Sequence, residues 1–248
     1  MRPNTIDEVI YKLDSIIDWA RTNHSRLGYF AALYRKVTVR VKEGIASGFF
    51  DDGERMERLD VVFANRYLEA FERFQRNKVL TRSWKVAFDA SKAWWPIVLQ
   101  HLLLGMNAHI NLDLGIAAAR TSPGDAVHRL KNDFMKINEI LASLVDGVQR
   151  ELAEIWPVLA LLDRVGGRTD EALLNFSMEK ARDCAWGVAE ILAPLGEADR
   201  MSGIDDLDKK VVSVGYKVLR PGLIIGGVNK IIRLGERGTI PHIIDILG

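Results

Sequence analysis

His101, Gly105, His109 and Asp113 follow one another at intervals of four within the run Gln100–Leu114. On an α-helix, residues four apart lie almost one above the other, and about 100° per residue leaves positions 109 and 113 only ~40° apart. An imidazole and a carboxylate so placed can share a proton, a ligand or a metal ion. The run is otherwise mostly apolar. An ionised carboxylate buried without a partner costs several kcal/mol or shifts its pKa until it is neutral. Asp113, set between Leu112 and Leu114, therefore calls for a partner. Asn107 and Asn111 lie on the same stretch and can hydrogen-bond an imidazole from behind.

Two further acids stand where apolar residues are expected. With Asp60 as origin, Ala64, Tyr67, Phe71 and Phe74 fall within ~40° on one helix face. Asp60 is then either a buried carboxylate bonded to an arginine or a helix cap, or a metal or proton-transfer group. Asp133 shares a face with Ile137, Ile140 and Leu144, all within about 40°; its alternatives are an ion pair at the edge of the stripe or a ligand. Arg182 and Trp186, four apart, are a counter-charge and wall for a buried site or an ordinary stacked pair. Cys184 reads as a small core residue, and His24, His128 and His242 as surface or structural histidines.

Helical bundles build metal sites from inward-facing carboxylates and histidines on neighbouring helices, and imidazole with carboxylate suits iron, manganese or zinc. The Glu-x-x-His pair of ferritin-like centres is absent from the sequence, as is His-Glu-x-x-His. There is no phosphate loop, no dinucleotide fingerprint in βαβ context and no nucleophile elbow.

The elements that must position these residues read as helices almost throughout. Thr5 and Glu8 have capping-box spacing ahead of Ile6, Val9, Ile10, Leu13, Ile16 and Ile17. Asn23-His24-Ser25 ends that helix. Further helices are expected over about 26–46, 54–76 and 83–93. The histidine-bearing helix should start with Pro96 in its first turn and stop at Thr121-Ser122-Pro123-Gly124. A long helix follows over about 125–155 with Pro157 ending or kinking it, then a turn at Gly166-Gly167 and a helix over about 170–193 capped by Thr169. Apolar segments at 207–219, 222–234 and 240–247 complete the chain. The expected fold is all-α: a bundle-like core domain, 1–195, around a long buried central helix, with a helical C-terminal extension, 196–248, packed on it. The apolar 223–234 stretch either covers the core or docks a partner subunit, so a homo-oligomer is open.

The chain has 248 residues, 48% hydrophobic and 27% charged, with a formal net charge of +1. No basic excess points to nucleic acid or to an anionic membrane. The single cysteine excludes an internal disulfide framework and a cysteine-based zinc site, which fits a cytoplasmic location. The longest apolar stretch, near 94–119, is broken by polar residues and reads as a core helix rather than a membrane span.

The segment Gly105-Met106-Asn107-Ala108-His109-Ile110-Asn111-Leu112-Asp113-Leu114 resembles the signature of a bacterial family known only as a domain of unknown function. Leu59-Asp60 with Phe63-Ala64-Asn65, Asp133-Phe134 with Asn138, and Arg182 with Trp186 also match, more loosely. The resemblance spans roughly residues 26 to 195. It extends to a non-haem di-iron monooxygenase of platensimycin-type diterpenoid biosynthesis. It implies His109, Asp113, Asp60 and Asp133 as metal ligands with His101 as a fifth candidate, two iron ions, an electron donor of unspecified kind and an apolar small-molecule substrate. Asn107, Asn111 and Arg182 are then the catalytic candidates.

Three functions compete. The first is an iron-dependent oxygenase with Phe63, Tyr67, Phe71 and Met106 lining its pocket. The second is a zinc-dependent hydrolase resembling the helical phospholipase C group, which uses metal-bound water; manganese is a further alternative to iron. The third is a non-catalytic lipid- or terpenoid-binding or interaction protein whose buried polar residues form structural networks.

Overall fold

A computed structural model describes residues 2–155 and 178–248, and among them it contains helices and no strand. The first helix, α1 (Ile6–Thr22), is capped by Thr5, whose hydroxyl accepts from the Glu8 amide. Glu8 in turn accepts from the Asn4 amide, one residue earlier than a capping box expects. Its period-3.6 stripe, Ile6, Val9, Leu13, Ile16, Ile17 and Ala20, is buried. His24 takes a left-handed turn conformation with φ 49°, and α2 (Leu27–Ala46) returns along α1. The alternating Val37-Thr38-Val39 stretch lies inside α2, where the buried Thr38 hydroxyl donates to the Tyr34 carbonyl.

Next come α3 (Gly53–Gln75) and α4 (Arg82–Ala90). The central rod is a continuous run of three windings: α5 (Val98–Met106), a π-helical segment (Asn107–Leu114) and α6 (Gly115–Thr121). This 24-residue run is long and apolar enough to cross a membrane by length and composition, and 89% of its most apolar stretch is buried inside the molecule. It touches α2, α3 and α4 on one side. On the other lie α8 (Met178–Leu192) and α9 (Glu197–Leu219).

A single 3₁₀ turn leads into α7 (Val127–Ile155). The C-terminal helices are α9, α10 (Leu223–Gly235) and α11 (Ile240–Leu247). The extension lies on the core: α9 packs on α4 and the π segment, and α11 on α1 and α2.

Several boundaries differ from expectation. Pro96 precedes the rod rather than sitting in its first turn, because the helix begins at Val98 and the Gln100 side chain satisfies the Ile97 amide. α4 stops at Ala90, where Ser91 folds back to donate to the Phe88 carbonyl. Cys184 is exposed rather than in the core, since α8 buries Ala181, Arg182, Ala185, Trp186 and Ala189. The expected stop at Pro157, the Gly166-Gly167 turn and the Thr169 cap lie outside the described residues.

Candidate functional site

The π winding is the largest local departure from the expected pattern. In a π-helix the amides bond five residues back, and such turns are rare and recur at functional sites. The winding changes after Met106, so the straight α-helical line through His101, Gly105, His109 and Asp113 breaks between its second and third members. Phe30 occupies the break: a Cβ on Gly105 would lie 2.4 Å from its ring.

His109 is 2% exposed and enclosed by rings from three helices. Phe63 of α3 stacks flat on it, with centroids 3.6 Å apart and planes 9° apart. Tyr34 of α2 meets it edge-on at 4.4 Å, with Phe30 at 5.7 Å, Trp84 of α4 at 6.0 Å and Tyr67 of α3 at 6.1 Å. The pairs Phe30/Tyr34 and Phe63/Tyr67 are each four apart, which places both rings of a pair on one helix face. Burial lowers the His109 pKa against the opposing charge of Asp113, and Arg66 adds to the lowering. The ring is therefore neutral at neutral pH. Neither of its nitrogens has a hydrogen-bond partner.

Asp113 is fully buried and its two oxygens are occupied. Arg66 Nε donates to Oδ1 at 2.5 Å and Trp84 Nε1 to Oδ2 at 2.7 Å. His109 Nδ1 stands 3.7 Å from Oδ2, beyond hydrogen-bond reach. Burial pushes the Asp113 carboxyl up, but Arg66, with His109 and Trp84, holds it below the usual carboxylate range. Arg66, from α3, reaches inward to Asp113 with a side chain 18% exposed.

Asp60 presents the opposite case. It is 7% exposed, and its Oδ2 is buried without a partner. Burial, assisted by the charge of Glu57, raises its pKa to about 7. Asp60 lies three residues before Phe63, so it shares that ring's side of α3. Burial raises the pKa of the Tyr34 hydroxyl, and the charges of Asp60 and then Asp113 add to the rise. The Tyr34 and Tyr67 hydroxyls are also buried without partners.

His101 lies one layer away, edge-on to Tyr29 at 5.8 Å. Its Nε2 has no partner. Burial, then the charges of Arg26 and Arg233, lower its pKa to about 3. With Arg26, Phe30, Tyr67, Trp84 and Ser91 it lines a cavity of about 20 Å³. A water molecule needs about 10–15 Å³ of such space.

The other candidates are held elsewhere. Asp133 accepts from the Asp51 and Asp52 amides at 2.6 and 3.1 Å and from Arg55 at 2.8 Å, tying α7 to the start of α3. Asn107 donates to the Val211 carbonyl and accepts from Asn111, which joins the π segment to α9. Neither asparagine bonds an imidazole. Arg182 donates to Asn138 and to the Phe134 carbonyl, and lies over the Phe134 ring at 4.6 Å. Burial lowers its pKa to about 10.

The structure thus brings His109, Asp113 and Asp60 to the same region and leaves His101, Asp133 and Arg182 apart. Among the described residues no three His, Cys, Asp or Glu side chains converge so as to hold an ion. Two irons sharing Asp60, His109, Asp113 and Asp133 do not fit these residues as placed, because Asp113 and Asp133 have both oxygens engaged. Tyr34, Phe30, Trp84 and Arg66 were not foreseen as part of the site. Only the four-residue spacing of the aromatic pairs carries a hint of them.

No curated protein and no solved structure matches the chain. The profile of a family of unknown function, DUF5995, matches residues 6–221, which takes in α1 to α9, the π segment and the candidates Asp60, His101, His109, Asp113, Asp133 and Arg182. The chain belongs to the DUF5995 family.

Proposed function

We propose that this protein receives a small, largely apolar molecule with one polar group at His109, and acts on it by proton transfer through Asp60 and the neighbouring hydroxyls. One observation carries this reading: both His109 nitrogens and the Tyr34 and Tyr67 hydroxyls are buried without partners in one aromatic enclosure, and Asp60, whose Oδ2 is equally unpartnered, lies close enough for its charge to act on the Tyr34 hydroxyl. Leaving a buried donor or acceptor unsatisfied costs about 1–3 kcal/mol each. A group of them in one place is explained by something that completes it. A neutral imidazole and a carboxyl group with a pKa near 7, both acting on the Tyr34 side chain, are suited to giving and taking protons at neutral pH. The adjacent cavity holds about one water, so a larger molecule enters only by displacing the side chains that line it.

A single metal ion is the second reading, favoured by the same free nitrogens and the free Asp60 oxygen. Imidazole, carboxylate and phenol oxygen suit iron, manganese or zinc. The oxygenase and hydrolase functions both reduce to this reading, with Asp113 acting behind the site through Arg66 and Trp84.

Thermal denaturation with a panel of small apolar alcohols, ketones and acids tests the first reading, using the native chain and His109→Phe. At least one compound should raise the Tm of the native chain and leave the variant unmoved. No shift with any compound, or equal shifts in both proteins, reduces His109 to a packing residue. Elemental analysis of the same two preparations tests the second. Near-stoichiometric metal that disappears in His109→Phe would favour it over the first.

A further inference from the structure

The segment joining α4 to α5 leaves two adjacent indoles in solvent, Trp94 at 49% and Trp95 at 55% exposure. The rings pack edge-on at 4.7 Å. Beside them lies α10. Arg233 stacks on Trp94 at 4.8 Å and donates to its carbonyl, and Lys230 stands 5.8 Å from the Trp95 ring.

Helical geometry sorts the described residues of α10 into two sides. Taking Lys230 as origin, Leu234 lies ~40° and Ile231 ~100° to one side, and Arg233 ~60° to the other. Ile232 falls on the opposite side, where it is buried. Ile231 and Leu234 are 63% and 73% exposed. The outward arc therefore mixes two large aliphatic side chains with two cations, and continues into the tryptophans.

Cations outnumber acids on this face, where Lys92 pairs with the partly exposed Asp89. Residues 90–98 and 220–235 contain no Asp or Glu. The nearest acid on the α10 side, Glu236, pairs with Arg233 and also turns inward to accept from the Val98 amide, with a side chain 2% exposed. Lys92, Lys230 and Arg237 are exposed around the apolar centre.

We propose that Trp94, Trp95 and the outward arc of α10 form a docking face for an anionic lipid surface. Indoles favour the boundary between headgroups and acyl chains, and the aliphatic residues of an amphipathic helix enter the same layer. Lysine and arginine extend from that depth to meet anionic headgroups. The chain's near-neutral total charge does not oppose this, because attraction at such a surface acts within a Debye length. Ser91 and Arg26, which line the cavity next to His101, border this face. Docking would bring an apolar solute dissolved in lipid to that cavity. The proposal itself stands whether or not His109 binds a ligand.

Co-sedimentation of the full chain with vesicles tests it. One set mixes phosphatidylglycerol with phosphatidylcholine; the other is phosphatidylcholine alone. The chain should sediment with the anionic set, with tryptophan emission shifting to the blue, and high salt should release it. Trp94→Ala/Trp95→Ala should abolish the shift and most of the binding. Lys230→Glu/Arg237→Glu, which alters two exposed cations, should weaken binding by roughly tenfold or more. Circular dichroism and Tm confirm that each variant is folded. Absence of binding to the anionic set, equal binding to both sets, or folded variants that bind like the native chain would overturn the proposal. So would a concentration-dependent dimer abolished by the tryptophan changes, which would assign the face to a second copy of the chain.

Discussion

The His109 imidazole lies against the Phe63 ring at 3.6 Å, while neither of its nitrogens meets a hydrogen-bond partner. Packing thus fixes the plane of the ring and leaves its polar edge uncommitted. His109→Phe should preserve the stack and remove two orphaned polar atoms. We expect its stability in denaturant to equal or exceed that of the native chain, by up to about 3 kcal/mol. A clear loss of stability would show that the nitrogens are engaged in the folded protein.

Asp60 makes stability fall with rising pH. Its folded pKa of about 7 stands above the ordinary 3.8. Between those values the folded state holds a proton that the unfolded state has released, so the contribution declines from pH ~4 to ~7 and is constant above. Complete loss amounts to roughly 4 kcal/mol. Asp60→Asn should lack this slope and be more stable than the native chain at pH 8. Denaturation curves for both proteins at pH 5 and pH 8 check it; parallel changes would place Asp60 in contact with solvent or a cation.

His101 works in the other direction. Its folded pKa is lowered to about 3 from 6.5. Below pH 6.5 the unfolded chain takes up a proton that the folded chain refuses, so stability is lost as pH falls toward 3. His101→Gln should flatten this acid limb. His109 is lowered as well, so the double variant with His109→Phe should be flatter still. An acid midpoint unchanged in both would refute the assignment.

Asp113→Asn should destabilise the fold. The amide keeps the size of the side chain and can still accept from Trp84, but it leaves the Arg66 cation without its counter-charge. Breaking a buried pair costs on the order of 3–5 kcal/mol, and partial exposure of Arg66, at 18%, places the expected loss near the lower end. If any bound metal survives while Tm falls, Asp113 supports the site without ligating. Unchanged stability with lost metal would make it a ligand.

Gly115 and Gly187 should respond differently to the same change. A Cβ on Gly115 would stand 2.6 Å from the Ala185 carbonyl oxygen of α8, a backbone atom with no rotamer to yield. Gly115→Ala should therefore cost about 1–3 kcal/mol. Nothing lies within 4 Å of a Cβ at Gly187, where alanine should add roughly 0.5–1 kcal/mol through helix propensity. Urea midpoints of the two variants give the comparison.

Much of the fold was legible because apolar residues recur at helical spacing. The buried stripe of α1, the amphipathic α3 and the ends of α2 could be placed without knowing what packs on them. The π segment could not. Its composition does not distinguish a π winding from an α one, and the helices it packs on, α8 and α9, come from far along the chain. The candidate site was half legible for a related reason. Asp60, His109 and Asp113 stood out as polar residues on apolar faces. The residues that decide their chemistry are Arg66, Trp84 and Tyr34. They lie 47, 29 and 79 positions from Asp113 in sequence, and they are ordinary residues on their own helices. Asp133 shows the limit most clearly: a lone acid on an apolar stripe has the same pattern whether it binds a ligand or caps a distant helix.

That role has a consequence for how the chain is made. Asp133 closes the start of α3 from 82 residues downstream, and Asp208 closes the start of α4 by accepting from the Arg82 and Ser83 amides, 126 residues from Arg82. While a ribosome has delivered only the first half of the protein, Asp52 caps the Arg55 amide of α3, but the Asp51, Asp52, Arg82 and Ser83 amides lack the carboxylates that later hold them. Chains stalled before residue 133 should be cut readily by protease around 51–55 and 81–84. Protection of the first stretch should follow emergence of α7, and protection of the second should wait for α9. The second half of the chain thus acts on the first as a late fastening, and loss of α9 should loosen both α4 and the π segment that carries His109.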